Sequence, residues 1–498
     1  MVHLNKLECS LFLFSVLLIF SLFVNVKISV AQSDSLVLEV EQHWDTFGVG
    51  GTCIPGGHNL AVMDIDGDGV KEIITGGLSY YLMQNGSSTA RSAPLKIWNW
   101  DGKNLTLEKS YSWTGNIRCV YAGDADGDGK IELVTAGSMT NSTGNYPSLR
   151  IWTWDGETLA LRGSYEGKTL GSVSVGDADG DGEPEIIAVG TYSNGTLSIA
   201  QLSAFQLNGN SLTLRASIDW EKYARANCVY VYDLDNDGIS EIITAGYSNN
   251  LNNSRGQLRV WQFNSTNFIL KSNEEWYTVD GAYSFDVARN VMGNTLADNV
   301  KVGDVDGDGV PEIVTGGFTY DGSKAEGQLR IWNWIGGVLN LEKSREWVNL
   351  DIAQPSSLSI NDIDGDGKLD IVTSGCTAGY DSWWSAPAAP DKTRAELKVW
   401  SWDENTVTLK QTKIWIVGDA VMAWSVGTGD VDNDGITEIV TVGCMETGNL
   451  CDPDLRIWSL PTESSFLSSF PYLPIAIAGI VTAVLVALAL YLFVKRRR

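Results

Sequence analysis

The stretch Asp64-Ile65-Asp66-Gly67-Asp68-Gly69-Val70-Lys71-Glu72-Ile73 decides the fold, because close copies of it recur along the chain. Each copy has acidic residues at positions one, three, five and nine, and glycine at position six. The copies begin at Asp64, Asp124, Asp177, Asp233, Asp304, Asp362 and Asp430, at intervals of about 60 residues. A period of this length is the signature of a repeat architecture.

The segments between the acidic loops have the composition of short β-strands. In the first repeat, a β-branched run at Ile73–Gly77 is followed by an aromatic run at Leu95–Trp100 and by a segment from Leu105 to Trp113. A further β-type run, Val120–Gly123, leads into the next loop. This pattern predicts four strands per repeat. The tryptophans recur in register, so we interpret them as packing residues and not as a sugar cradle.

Seven four-stranded repeats predict an all-β, seven-bladed β-propeller that occupies residues 36–460. The last repeat ends after its third strand, at Leu455–Leu460. The missing strand is found at the other end of the chain, because Leu36 to Trp44 repeats the pattern of Leu105 to Trp113. We therefore predict that the N-terminal strand closes the last blade, which removes two exposed sheet edges.

Three aspartates at alternate positions of a tight loop direct several carboxylates at one point, and a cation there would relieve their repulsion. Oxygen ligands and a glycine at position six are typical of calcium sites. A helix–loop–helix calcium hand is the competing interpretation, but it needs glutamate at position twelve, where these loops have Thr75, Thr135, Ala188, Thr244, Thr315, Thr373 and Thr441. A metal-free acidic turn is the other alternative, and it would account for one copy better than for seven.

We therefore predict about seven calcium ions, one in each loop. The side chains at positions one, three and five, the carbonyl at position seven and the acid at position nine, directly or through water, are the expected ligands. They are Asp64, Asp66, Asp68, Val70 and Glu72; Asp124, Asp126, Asp128, Lys130 and Glu132; Asp177, Asp179, Asp181, Glu183 and Glu185; Asp233, Asp235, Asp237, Ile239 and Glu241; Asp304, Asp306, Asp308, Val310 and Glu312; Asp362, Asp364, Asp366, Lys368 and Asp370; Asp430, Asp432, Asp434, Ile436 and Glu438.

From Leu36 to Leu460 the repeat resembles the FG-GAP/VCBS repeat of integrin α-subunit propellers and of related bacterial and archaeal surface proteins. The resemblance implies a calcium-binding β-propeller, a fold that adhesion receptors, lectins and some polysaccharide lyases share. In integrins only some blades carry the acidic loop, whereas all seven repeats carry it here. The integrin leg domains and inserted ligand-binding domain have no counterpart, so integrin partners are not carried over.

The two ends of the chain have the sequence pattern of an exported, membrane-anchored protein. Residues 1–31 contain an apolar run and a small-residue cleavage site, which predict a signal peptide; an uncleaved signal anchor is the alternative. After a short linker at 461–472, the uncharged run 473–494 is long enough to span a bilayer, and the basic tail 495–498 is expected in the cytoplasm. Six Asn-x-Ser/Thr sequons agree with export to the cell surface.

Two sets of residues are candidate ligand contacts. One set lies six residues before each first aspartate and is predicted to surround the mouth of the propeller channel: His58, Arg118, Gly171, Asn227, Asp298, Ser356 and Trp424. The other lies in the connection 377–396, which contains Tyr380, Asp381, Trp383, Trp384 and Arg394. The alternatives are a solvated channel lining for the first set and a loop packed on its neighbours for the second.

Composition narrows the functional classes. The formal net charge of −26 makes nucleic acid an unexpected partner. The chain has three histidines and none of the sequence motifs of serine hydrolases, zinc proteases or phosphate-binding loops. We expect a cell-surface adhesion or recognition module for an extracellular glycan or protein. A calcium-dependent polysaccharide lyase and a structural scaffold of the cell envelope are the alternatives, so enzyme activity stays an open question.

Overall fold

A computed structural model describes residues 36–43, 58–82, 89–142, 144–168, 170–193, 198–222, 224–250, 253–277, 294–320, 324–348, 352–378, 393–402, 406–447 and 450–460. The part from Leu36 to Leu460 forms one compact unit. The predicted signal peptide, linker, membrane span and basic tail lie outside the described residues. Within the described residues, no helix has the length and apolarity needed to cross a membrane.

The fold is all-β, and the described residues form twenty-eight strands. The first fourteen are β1 Val37–His43, β2 Leu60–Met63, β3 Glu72–Gly76, β4 Ser79–Leu82, β5 Thr89–Trp100, β6 Leu105–Gly123, β7 Glu132–Asn141, β8 Gly144–Trp154, β9 Leu159–Glu166, β10 Ser172–Gly176, β11 Glu185–Ser193, β12 Ser198–Asn208, β13 Ser211–Lys222 and β14 Ala224–Tyr232. The others are β15 Glu241–Asn250, β16 Asn253–Phe263, β17 Phe268–Trp276, β18 Asn294–Gly303, β19 Glu312–Tyr320, β20 Ala325–Ile335, β21 Val338–Trp347, β22 Ile352–Asn361, β23 Asp370–Ala378, β24 Arg394–Trp402, β25 Val407–Trp415, β26 Ala420–Gly429, β27 Glu438–Thr447 and β28 Leu450–Ser459.

Each acidic loop joins the first and second strands of a four-stranded antiparallel unit, and we number the units by the order of their loops. The first unit is β2, β3, β5 and the start of β6, with β4 paired to the beginning of β5. The second consists of the rest of β6 with β7–β9. The third to sixth units are β10–β13, β14–β17, β18–β21 and β22–β25. The seventh is β26–β28 together with β1, which pairs antiparallel with β28.

Neighbouring units contact each other through their first strands. These contacts run from β2 through β6, β10, β14, β18, β22 and β26 and return to β2. Hydrogen bonds accompany them: the Asn59 amide donates to Ser425 Oγ at 3.0 Å, and the Val229 amide donates to Ser172 Oγ at 3.3 Å. The first unit therefore packs against the seventh as well as against the second.

Buried tryptophans of the third strands are held by one recurring hydrogen bond. In six units, the indole N–H of this tryptophan donates at about 3.0–3.1 Å to the hydroxyl of the threonine at loop position twelve. The third unit has Phe205 and Ala188 in the two places, so neither a donor nor an acceptor is left over. The pairs are Trp98–Thr75, Trp152–Thr135, Trp261–Thr244, Trp332–Thr315, Trp400–Thr373 and Trp458–Thr441.

A second aromatic residue, near the end of a fourth strand, contacts the third-strand aromatic ring of the next unit. The ring centroids of Trp347 and Trp400 are 4.8 Å apart, and those of Trp415 and Trp458 are 4.9 Å apart. Arg456 lies over the Trp415 ring at 5.5 Å. The cores thus lie between units, and the prediction that these recurrent tryptophans are packing residues is confirmed.

Candidate functional site

The acidic loops share one hydrogen-bonded conformation. In the first loop, Asp64 accepts bonds from the amides of Gly67 and Gly69, at 2.7 and 3.0 Å. Asp66 accepts from the Asp68 amide at 3.1 Å, and Asp68 accepts from the Val70 amide at 2.8 Å. Asp64 therefore uses both carboxylate oxygens to shape the loop, whereas Asp66 and Asp68 each use only Oδ1. The same pattern recurs in the later loops with small changes.

The backbone explains two residue preferences in these loops. The residue at position four has a positive φ of 80° in Gly67, and Asn236 and Asn433 occupy this position at 59° and 60°. Glycine and asparagine are the residues that adopt this left-handed conformation most readily. Position six is also left-handed, with a φ of 93° at Gly69, and it is glycine in every loop.

The acid at position nine lies beneath the loop and is almost fully buried. Its carboxylate accepts a hydrogen bond from the amide at position two, as Glu72 does from Ile65 at 2.9 Å. Burial, followed by the charges of the nearby aspartates, raises the pKa of Glu72 to about 7 and that of Glu312 to about 8, although the amide bond acts in the other direction. Burial first, and the neighbouring aspartates second, thus disfavour the charged form of these carboxyl groups in the absence of a countercharge.

The donor set fits a hard divalent cation. Carboxylate oxygens from positions one, three and nine lie within 4.8 Å of one another in the loops that begin at Asp64, Asp124, Asp177 and Asp233. In the loop that begins at Asp304, oxygens from positions one, three and five do so. Every donor is oxygen, which suits calcium or magnesium and not zinc. Oε1 of Glu185 and Oε1 of Glu312 are buried without a hydrogen-bond partner among the described residues. A cation would satisfy these two oxygens.

The residues six positions before each first aspartate are brought together around one polar cavity of about 640 Å³. All seven of them line it: His58, Arg118, Gly171, Asn227, Asp298, Ser356 and Trp424. Each unit thus contributes one side chain or backbone position to the lining. We call this space the polar cavity.

β-Bulges direct these residues into the polar cavity. The register of the first strand shifts at Arg118, Asn227, Asp298, Ser356 and Trp424, so each is an extra residue opposite the second strand. Such a residue is free to turn away from the regular alternation of the strand. His58 and Gly171 lie just before β2 and β10, at the ends of their strands.

A glycine on the second strand makes room for each bulge. A Cβ on Gly246 would lie 2.0 Å from the carbonyl oxygen of Arg225, and one on Gly443 would lie 1.7 Å from that of Met422. Both distances are too short for any side chain. The glycine that follows the β-branched run in these repeats is therefore a requirement of the bulge.

The polar cavity contains two arginines without a carboxylate partner. Arg118 and Arg225 are solvent-accessible, and neither makes an ion pair with another described residue. Although part of its surface reaches solvent, partial desolvation by the cavity walls, followed by the charge of Arg225, lowers the pKa of Arg118, so the two guanidinium groups lie within electrostatic reach of each other. Asn227 Nδ2 donates to Asp298 Oδ1 at 2.8 Å, and burial raises the pKa of Asp298 to about 6.

Sequence reasoning missed several cavity residues because they lie outside the repeated position. Arg225 and Gln354 precede the bulge residue of their strand by two positions, and Tyr192 and Tyr247 come from second strands. Of the second candidate set, Tyr380, Asp381, Trp383 and Trp384 lie outside the described residues. Arg394 is described as a half-buried residue at the start of β24.

The comparisons with known proteins agree with the repeat interpretation. The model of the FG-GAP-like repeat matches residues 177–244 and 304–373. Each match begins at the first aspartate of a loop and ends at position twelve of the next loop. The chain therefore contains FG-GAP-like repeats, and the resemblance predicted from the acidic loops is confirmed.

Three proteins to which the chain is similar show low sequence identity to it. The rhamnogalacturonan endolyase YesW of Bacillus subtilis (strain 168) is 26% identical over 319 residues, which cover 58% of this chain and 49% of the relative. The chain thus spans about half the length of that curated relative. Among solved structures, a protein from Lactobacillus plantarum has a TM-score of 0.40 at 11% identity, covering 72% of this chain and 88% of its own. The V. cholerae biofilm matrix protein Bap1 has a TM-score of 0.39 at 12% identity, covering 86% and 92%.

Proposed function

We propose that this chain is a calcium-binding, seven-bladed β-propeller that recognises an extracellular glycan through its polar cavity. The cyclic contacts of the first strands and the pairing of β1 with β28 support a ring closed by the N-terminal strand. The C-terminal span 473–494 would anchor this ring at the cell surface, with the propeller outside and the tail 495–498 inside. Protease protection of the tail in intact cells tests that orientation.

Calcium is the cation that best suits the seven loops in this proposal. Their oxygen-only donors and the glycine at position six fit the large and flexible coordination shell of calcium better than the strict octahedron of magnesium. The ions would be structural, because every loop joins the first two strands of its unit. They would fix the ends of the strands that line the polar cavity.

One observation carries the ligand assignment: seven residues at one repeat position, five of them on bulges, line the polar cavity. Arg118 and Arg225, which form no ion pair with another described residue, favour an anionic group, and the partly exposed Trp424 offers a ring surface for stacking. A carboxylate-bearing oligosaccharide combines these features. We therefore infer an acidic glycan, with a protein ligand as the competing outcome.

Calorimetric titration with acidic and neutral oligosaccharides tests this assignment. Replacing Arg118 and Arg225 with glutamine should weaken binding of the acidic sugars at least about tenfold, which corresponds to about 1.4 kcal/mol. Arg345→Gln is the matched control, because Arg345 is exposed on β21 and does not line the cavity. Unchanged affinity in the double variant would refute the assignment of the polar cavity.

A polysaccharide lyase is the second candidate, and the similarity to a rhamnogalacturonan endolyase favours it. A lyase needs a base that removes a proton from the sugar ring. Burial raises the pKa of Tyr247 to about 12, and the hydrogen bond to Asp219 raises that of Tyr192, so both tyrosines stay protonated at neutral pH. These shifts move both tyrosines further from the deprotonated form that a base needs. Release of unsaturated products from acidic polysaccharides would establish the lyase instead.

A further inference from the structure

One position on the fourth strand of each unit differs in charge between the units. It follows the residue that pairs with the third-strand aromatic ring, and the strand register shifts there in every unit, so this residue is a β-bulge. We call it the fourth-strand bulge position. From the first unit to the seventh it is Glu108, Arg162, Arg215, Lys271, Glu342, Lys410 and Glu39.

In the sixth unit, the lysine at the fourth-strand bulge position reaches into the acidic loop. Nζ of Lys410 lies 2.8 Å from Oδ2 of Asp364, 2.9 Å from Oδ1 of Asp370 and 3.9 Å from Oδ2 of Asp366. Asp370 is also one methylene shorter than the glutamate of the other loops, and its bond from the Ile363 amide is long, at 3.4 Å. The ammonium group thus lies among the carboxylates that would otherwise hold a metal ion.

The second unit has a similar arrangement with arginine. Arg162 lies 2.7 Å from Oδ2 of Asp126, and its other terminal nitrogen lies 3.2 Å from Oε1 of the buried Glu132. It also donates to the carbonyl oxygen of Gly209, which holds the side chain in place. A guanidinium group is planar and pre-organised, so it loses little side-chain entropy for each hydrogen bond that it forms in the loop.

The fifth unit has no cation at this position, and its buried acid is correspondingly unpaired. Glu342 is at the fourth-strand bulge position, and Oε1 of Glu312 has no hydrogen-bond partner among the described residues although Glu312 is 0% exposed. The equivalent oxygen is bound by Arg162 in the second unit and by Lys410 in the sixth. The first unit has Glu108 near Asp66 and Asp68 instead, so it carries a fifth acidic group.

The third and fourth units leave their loops accessible to an ion despite a basic residue. The guanidinium of Arg215 comes no nearer to Asp179 than 3.9 Å and donates to Gln206. Lys271 donates to Oε1 of Gln262. Oε1 of Glu185, in the third unit, has no partner among the described residues.

We propose that Arg162 and Lys410 are built-in counter-ions, which make the loops of the second and sixth units weak calcium sites while the other five loops bind tightly. This inference rests on the proposed binding of calcium. A positive charge a few ångströms from a divalent ion opposes binding, and a negative charge there favours it. The seven loops are therefore not equivalent, and whether the residue at the fourth-strand bulge position reaches into the loop with a positive charge sets their affinities.

The test is the number of calcium ions that the full-length chain retains in equilibrium dialysis against buffered free calcium, with atomic emission as the readout. The unchanged chain should retain five ions tightly. Lys410→Glu should add a sixth, with the affinity of that loop raised by about tenfold or more. Glu108→Lys should remove one. Arg345→Glu makes the same change of charge on β21, away from the loops, and should leave five.

If the glutamate variant does not fold, Lys410→Gln is the alternative, because it removes the ammonium group without adding a carboxylate. It too should retain a sixth calcium ion. Retention of a sixth ion by either Lys410 variant supports the inference. Seven equivalent sites in the unchanged chain, or Lys410 variants that behave like Arg345→Glu, would overturn it and leave calcium binding intact. A chain that retains no calcium would overturn the proposed cation itself.

Discussion

The recurring tryptophan–threonine bond yields a prediction that can be worked out in the sixth unit. Trp400 is 1% exposed, Thr373 is 2% exposed, and the indole N–H donates to the hydroxyl at 3.0 Å. Thr373→Val keeps the shape of the side chain but leaves the buried indole donor without an acceptor. We expect the free energy of unfolding to fall by about 1–3 kcal/mol, the cost of a buried polar group whose partner is removed.

Thr373→Val should leave the free energy of unfolding almost unchanged once the indole N–H of Trp400 is absent. In a Trp400→Phe background no N–H remains to be orphaned, so Thr373→Val should be neutral or slightly stabilising. The coupling free energy of the double-mutant cycle is then about 1–3 kcal/mol. In the third unit, Phe205 and Ala188 replace the tryptophan and the threonine, so neither the donor nor the acceptor is present.

Urea unfolding at saturating calcium measures the four variants of the cycle. The reciprocal experiment serves as a control: Phe205→Trp should destabilise the chain, and adding Ala188→Thr should recover part of the loss. Additive effects of Thr373→Val and Trp400→Phe, with a coupling free energy near zero, would refute the reasoning that the hydroxyl is present to satisfy the indole.

Three further predictions concern the ions and the polar cavity. Excess EGTA should lower the melting temperature, since each site filled at 100 times its dissociation constant contributes about 2.7 kcal/mol; an unchanged melting curve would contradict structural ions. The pKa of Asp298 rises from its ordinary value of 3.8 to about 6, with burial as the largest cause and His58 and Asn227 acting in the other direction. The folded chain therefore holds this proton more tightly than the unfolded chain, so Asp298 lowers the free energy of unfolding as pH rises from about 4 to 6. Asp298→Asn should raise the urea midpoint at pH 7.5, where the carboxyl group of the unchanged chain is ionised, but not at pH 3, where it is protonated. Gly443→Ala should destabilise the chain by several kcal/mol because its Cβ would meet the Met422 carbonyl oxygen, whereas Gly77→Ala, whose nearest contact is at 3.9 Å, should be close to neutral in the same assay.

The features that the sequence predicted well are local and repeated. The loops need particular residues at fixed positions, so seven copies of the motif are visible without any knowledge of distant contacts. The convergence of His58, Arg118 and Trp424 could be predicted for the same reason, because each lies at one fixed offset from a loop. Because the units repeat the same fold, residues at the same position of each repeat occupy equivalent places in the structure.

The features that it did not predict depend on pairing between strands. The bulge at Asn227 exists because Gly246 on the neighbouring strand leaves space for it, and a single strand does not reveal that relation. In the sixth unit the residue at the fourth-strand bulge position, Lys410, lies 46 residues after Asp364, so the two become partners only when the strands are aligned. Register shifts also break the alternation from which a face is normally assigned.

Each first strand connects the two kinds of site. Its loop end leads into the first aspartate, and the cavity-lining residue lies six positions earlier, so the two lie about 20 Å apart along an extended chain. Between them the strand hydrogen-bonds to the first strand of the neighbouring unit, as Asn299 does to the Ser356 carbonyl oxygen at 2.6 Å. If the loops hold ions as proposed, a loop that lost its ion would release one end of such a strand, while the neighbouring first strands would still hold the other end. Cation binding and ligand geometry would then be coupled through the stability of the unit and not through direct contact, so the loops could differ in charge while the residues at the cavity end stay in place.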